Sequence, residues 1–170
     1  CTLEGLREEG VAVGAIVLTH HHQDHAAAAG WLGGRFELPI WCHQTTAEHL
    51  EGSALTSRFL QEGDSIELGA RRSLRVWETP GHAAGHLAFE LRPEGHMVVG
   101  DLVARGTTVL IDPSEGSMGN YLESLRRVRD ASPRSLLPGH GHPIGDSAGT
   151  IDWYLTHRDE REEEIREALD

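Results

Sequence analysis

Thr19-His20-His21-His22-Gln23-Asp24-His25 is the stretch that decides how this chain reads. It sets histidines at 20, 21, 22 and 25 and a carboxylate at 24 in one tight turn, directly after an apolar run. Val13 to Thr19 reads as a buried strand, and Ala26 to Ala29 as the first turn of a helix. The polar residues therefore occupy the junction where a strand ends and a helix begins. Period-two geometry sends His20 and His22 to one side, and Asp24 and His25 at the helix start face the same mouth. Two pairs of donors converge there, which is the pattern of a metal site and, with two pairs, of a two-metal site.

A histidine patch alone reads equally well as a solvated loop, but three further islands need the same explanation. Thr79-Pro80-Gly81-His82-Ala83-Ala84-Gly85-His86 supplies glycine-flanked histidines. Gly100-Asp101 supplies a carboxylate after the apolar run Met97 to Val99. Pro138-Gly139-His140-Gly141 follows Ser135 to Leu137. Each island follows a predicted strand. Zinc and its neighbours take neutral imidazole and carboxylate ligands, and glycines beside the ligands let backbone approach closely. Clusters of this kind at strand ends read as sites.

The order His-x-His-x-Asp-His, Thr-Pro-Gly-His-x-x-Gly-His, Gly-Asp and Pro-Gly-His-Gly resembles the metallo-β-lactamase fold superfamily, from about Val11 to the end of the chain. That superfamily includes hydroxyacylglutathione hydrolases and several ribonucleases. The resemblance implies one metal held by His20, His22 and His86, and a second held by Asp24, His25 and His140, with Asp101 bridging. It leaves His21 and His82 as structural or supporting residues. The stretches Gly106 to Val109, Glu115-Gly116, Tyr121 to Leu125 and Leu136 to Gly141 are similar to a lactamase-like branch. That branch contains a mitochondrial single-strand endoribonuclease, fungal polyketide thioesterases and bacterial hydrolases. Its members usually have several strands before the first histidine motif and a winged-helix-like segment after the last long helix. Residues 1–170 are accordingly expected to form one metallo-β-lactamase-like domain, an α/β four-layer αβ/βα sandwich, with the early strands and the C-terminal segment absent. An aspartate at 101, where the commonest zinc β-lactamases use a cysteine, turns the expectation away from antibiotic hydrolysis. The full second set of ligands turns it away from one-iron persulfide dioxygenases.

The 170 residues are enough to bury one core, and no run approaches the ~20 apolar residues of a membrane span. Cys1 and Cys42 make no disulfide framework and no Cys-x-x-Cys occurs, which fits a reduced, cytoplasmic protein. A net charge of −12 opposes a non-specific nucleic-acid coat. Every basic side chain besides histidine is Arg, so Schiff-base and phosphate-loop lysine chemistry is excluded. No Gly-x-Ser-x-Gly elbow marks a serine hydrolase.

The remaining pattern predicts a helix tail over Leu3 to Glu9 capped by Gly10, a strand over Pro39 to Cys42 and a helix over Thr45 to Leu50. Strands at Ser65 to Leu68, Leu74 to Glu78, Leu87 to Leu91 and Met97 to Val99 build a second sheet. His43 reads as a structural or supporting residue. Tyr121, Leu122, Leu125 and Val128 repeat at helical spacing. Thr150 to Leu169 continues as a helix, with a charged Arg158 to Arg166 face and a capacity for homodimer contacts.

Two divalent metal ions are expected, zinc by default, with iron or manganese fitting similar His/Asp sites. Two cations roughly 3.5–4 Å apart share a water and lower its pKa toward about 7. Asp101 suits the bridge, and Asp24 binds the second metal while hydrogen-bonding the hydroxide. The expected activity is hydrolysis of a small acyl substrate, a thioester or ester. The alternatives are a single-strand endoribonuclease acting on RNA and an inactive metal-binding fragment.

Overall fold

The apolar runs of this chain alternate, and the two faces they create feed different cores. In the computed structural model, which describes residues 3–50 and 56–169, eight strands form two sheets. β1 (Ile16–Val17), β2 (Ile40–Cys42) and β3 (Thr56–Phe59) form a parallel sheet in that order. β4 (Ser65–Gly69), β5 (Arg72–Glu78), β6 (Leu87–Arg92) and β7 (His96–Gly100) form an antiparallel meander. To this β8 (Ser135–Pro138) adds parallel to β7.

Three apolar clusters account for the layering. Ile40 and Cys42 point outward with Ile16 and Leu18, meeting Ala26 of α2 (Gln23–Ala26) and Ala29 of α3 (Ala29–Phe36). Ala47 of α4 (Gln44–His49) joins them. Val17 and Trp41, one residue out of phase, point inward to Ile66, Val76, Leu87, Phe89 and Val98 of the second sheet. Ala88, Met97, Val99 and Leu136 face the other way, onto Tyr121, Leu125 and Val128 of α5 (Met118–Ala131) and Ile151 and Tyr154 of α6 (Ser147–Leu169). Strand side chains alternate between faces, so helix, sheet, sheet and helix each bury one side. The predicted four-layer α/β sandwich is the observed fold.

Several boundaries move. Val13 to Thr19 is strand only at Ile16–Val17, because its neighbour offers ladder groups from Pro39 to Trp41 and the residues before Ile16 have none to bond. The following helix starts at Gln23 rather than Ala26: the His22 carbonyl accepts from His25 and Ala26, so the histidine turn is itself the N-terminus. β3 lacks clean alternation of residue types and escapes the sequence reading; it pairs beside β2. α6 begins at Ser147, three residues before Thr150, because Asp146 Oδ1 accepts from Gly149 N and caps it. Ahead of the first sheet, α1 (Leu3–Glu8) ends with Gly10 at φ +76°. Cys42 is buried with a free thiol, and Cys1 lies outside the described residues. Among the described residues no helix is long and apolar enough to cross a membrane.

Candidate metal centre

The histidine turn leaves the C-terminal end of β1 and is fixed to the second sheet at once, because Leu87 N donates to Thr19 O at 2.8 Å. Opposite it lie three turns of the second sheet: residues 79–86 between β5 and β6, Asp101 after β7, and residues 139–141 after β8. Gly139 N donates to Gly100 O at 2.8 Å, tying the last two together. Glycine is required at both ends of that bond. A Cβ on Gly100 (φ +47°) would sit 2.7 Å from His86 Nε2, and one on Gly139 would sit 2.5 Å from His25 Cε1 and 2.7 Å from Asp101 Oδ1.

His20, His22 and His82 form one group. His22 Nδ1 lies 3.1 Å from His20 Nε2 and 2.9 Å from His82 Nε2. The opposite nitrogens face outward: His82 Nδ1 is 2.8 Å from Leu110 O, and His22 Nε2 is 3.0 Å from Glu115 Oε1. A carbonyl and a carboxylate only accept, so His82 Nδ1 and His22 Nε2 carry the protons. In neutral rings, two lone pairs then face each other at 2.9 Å. His20 is completed outward by Thr19 Oγ1, 3.0 Å from its Nδ1.

Asp24, His25 and His140 form a second, more open group. His140 Nε2 lies 3.0 Å from Asp24 Oδ2 and 3.3 Å from His25 Nε2. Asp101 stands between the groups, with Oδ1 3.3 Å from His25, and Oδ2 3.6 Å from His140 and 3.7 Å from His82. Asp101 Oδ1 is buried without a hydrogen-bond partner. An orphaned buried carboxylate oxygen aimed at crowded imidazole nitrogens is unfavourable unless a cation joins them.

His86 stands apart from both groups. It is 1% exposed, its Nε2 accepts from Asp101 N at 3.1 Å, and its Nδ1 lies 2.8 Å from Thr79 Oγ1. With Nε2 accepting, Nδ1 bears the proton and donates to the threonine, so neither nitrogen is open to a cation. The structure thus gathers His20, His22, Asp24, His25, Asp101 and His140 as the sequence predicts, but puts His82 where His86 was expected. Both histidines lie in one turn, four residues apart, and only the path of that turn decides which faces the mouth.

Burial keeps His20, His82 and His86 neutral. Burial, reinforced by the imidazoles of His86, His25, His22 and His82, pushes His20 far below the usual histidine range. Burial, with His82, His25 and His22, holds His86 down to about 3. His82 is lowered chiefly by burial. For Asp24, burial works upward but is outweighed by a backbone hydrogen bond and by His25 and His140, so its carboxyl lies below the ordinary value. Neutral imidazole and ionised carboxylate are the protonation states that bind borderline cations. The residues present therefore fit divalent cations.

The family model of the metallo-beta-lactamase superfamily matches residues 3–140. This chain belongs to the metallo-beta-lactamase superfamily. It is 30% identical to a beta-lactamase-like protein 2 homolog of Drosophila melanogaster, over 94% of this chain and 56% of that protein. It is 31% identical to a hydroxyacylglutathione hydrolase of Bdellovibrio bacteriovorus, over 79% of this chain and 51% of that one. A metallo-beta-lactamase family protein from Thermus thermophilus superposes with a TM-score of 0.82 at 26% identity, covering 98% of this chain and 68% of the other. The chain spans about half the length of the curated relatives it matches. The converging histidines and aspartates of this chain could hold divalent metal ions.

Proposed function

We propose that this superfamily member is a dinuclear metal-dependent hydrolase of small thioester or ester substrates. His20 Nε2, His22 Nδ1 and His82 Nε2 would hold one cation, and Asp24, His25 and His140 the other, with Asp101 shared. His86 leaves the set and takes the role of holding Asp101. The observation that carries this reading is the pair of lone pairs facing at 2.9 Å, His22 Nδ1 and His82 Nε2, beside the unpartnered Asp101 Oδ1.

When bound there, divalent cations polarise a carbonyl oxygen as Lewis acids and bring the pKa of water down toward about 7. The chain itself supplies position and proton handling. Asp101 is fixed through its backbone N–H by His86, so its two oxygens stay directed at both groups. Asp24, exposed at the mouth and ionised, can take the proton that the attacking water gives up and pass it to solvent. The open side of the second group, at His140 and Asp24, is where a substrate reaches the centre. The relative's name points to the substrate class: an acylglutathione is a thioester. The net charge of −12 counts against an RNA backbone.

Elemental analysis of protein purified without chelator or affinity tag tests the centre, and a panel of thioester, lactone, phosphodiester and RNA substrates tests the chemistry. About two cations per chain with thioester or ester turnover is the expected result. Cleavage of RNA alone overturns the substrate class, and absence of bound metal overturns the mechanism.

A further inference from the structure

Between β7 and α5 the chain wraps the outside of the centre, and two of the three nitrogens in the first group are oriented from this one loop. Leu110 O receives His82 Nδ1–H at 2.8 Å, and Glu115 Oε1 receives His22 Nε2–H at 3.0 Å. The other Glu115 oxygen, Oε2, lies 3.0 Å from His21 Nε2. His21 in turn stacks on His49, with ring centroids 4.5 Å apart and planes 27° from parallel. The carboxylate is thus gripped on both oxygens by adjacent residues of the histidine turn.

The loop that presents it is itself fixed. Gly116 N donates to Asp112 O at 2.7 Å, and the Ser114 N–H and hydroxyl donate to Asp112 Oδ1 at 2.8 and 2.6 Å. Ser117 N donates to Gly81 O at 2.8 Å, which joins the loop to the residue preceding His82. Glu115 does not stand among the donors that converge between His20, His22 and His82. Its carboxylate lies behind His22, on the ring edge facing away from them. A neutral imidazole has one proton for two nitrogens, and a carboxylate that can only accept decides which nitrogen keeps it. Partners of this kind orient metal-binding histidines and raise their basicity, and their loss typically lowers metal affinity by about 10–100-fold.

We propose that Glu115 is the positioning residue of the first cation group: it locks His22 in the Nε2–H tautomer, so that the Nδ1 lone pair faces His20 and His82. His21 holds the second oxygen and keeps the carboxylate in plane. This inference rests on the two-cation reading above and assigns to Glu115 the affinity of one of its two sites.

The test compares wild type with Glu115→Gln and Glu115→Asp by two measurements. Long-range proton–nitrogen correlation spectra of the imidazoles in metal-free protein report the His22 tautomer. Competition for Zn2+ against a chromophoric chelator reports the affinity of each equivalent. The expected result is an Nε2–H tautomer for His22 in wild type, mixed or reversed in Glu115→Gln. One zinc equivalent should weaken by about 10–100-fold while the other is unchanged. Glu115→Asp, too short to reach His22 from the same backbone, should resemble Glu115→Gln although it keeps the charge. A wild-type His22 in the Nδ1–H form overturns the inference whatever the variants do. So do two equivalents that titrate as in wild type, or two that weaken equally, the mark of lost charge alone. A third equivalent in wild type that vanishes in Glu115→Gln also overturns it, since Glu115 would then be a ligand together with His21 and His22. If wild type binds no zinc, the two-cation reading falls and this inference with it; if wild type binds two and the variants match it, only the inference falls.

Discussion

Replacing His82 and His86 separately by alanine tests the proposed division between a cation ligand and a scaffold residue, because the two lie four residues apart in one turn and are assigned opposite roles. His86 is fully enclosed, and both ring nitrogens serve protein partners. Its removal leaves Asp101 N–H buried and unpaired, which costs about 1–3 kcal/mol. It also opens a cavity of most of an imidazole, bringing the total to about 3–5 kcal/mol. For a domain of this size that lowers the unfolding midpoint of metal-free protein by roughly 6–20 °C. His82 lies at the edge of the buried interior and makes one hydrogen bond outside the centre, to Leu110 O, so His82→Ala should cost metal-free protein about 1–3 kcal/mol, less than His86→Ala. Metal content should behave the other way: His82→Ala loses about one equivalent per chain, while His86→Ala, refolded and saturated, retains two. Thermal unfolding in chelator, paired with elemental analysis, reads both quantities. A destabilised His82→Ala that keeps two metals, or an undisturbed His86→Ala that loses one, would refute the assignment.

Gly139→Ala places a Cβ 2.5 Å from His25 and 2.7 Å from Asp101 Oδ1, so one of them must retreat by about 1 Å; activity should fall by about 100-fold in a steady-state assay with the fold intact by circular dichroism. Asp101→Ala removes the one side chain shared by both groups and should abolish turnover together with retention of metal; an active variant would rule out the dinuclear mechanism. His86, held down to about 3, binds its proton more weakly folded than unfolded, and burial acts the same way on His20 and His82. Their contribution to the stability of metal-free protein is therefore complete above about pH 6.5 and is lost as the pH falls toward about 3. Unfolding midpoints measured in chelator should drop across that window, and a midpoint rising on acidification would contradict the burial of these rings.

Most of the fold was legible because its strands are two-faced. Runs such as Leu87 to Leu91 and Met97 to Val99 announce burial on both sides, and the histidines, aspartates and glycines punctuate their ends. β3 was not legible, since Thr56–Phe59 mixes polar and apolar residues without a period and takes its strand character from β2 alongside. The exchange of His82 for His86 has a similar origin. His86 precedes Leu87, the first residue of β6, and its ring is drawn into the space between Thr79 and Asp101. Composition cannot say which of two histidines in a Pro-Gly turn is pulled inward. Glu115 left a fainter trace still: the sequence marks it only within a family-like stretch, and its contact with His22, 93 residues away, shows only when the fold closes that distance.

Each group of donors takes two residues from the turn after β1 and one from the second sheet, with Asp101 adding to that side. A cation seated in either is a rivet between the two halves of the sandwich, placed where the apolar seam around Leu87 and Val76 gives way to open polar turns. The protein's resistance to unfolding then becomes a reading of the free metal around it, rising by about 1.4 kcal/mol per filled site for every tenfold increase above that site's dissociation constant. A chain starved of metal would rely on that apolar seam to hold its two sheets together.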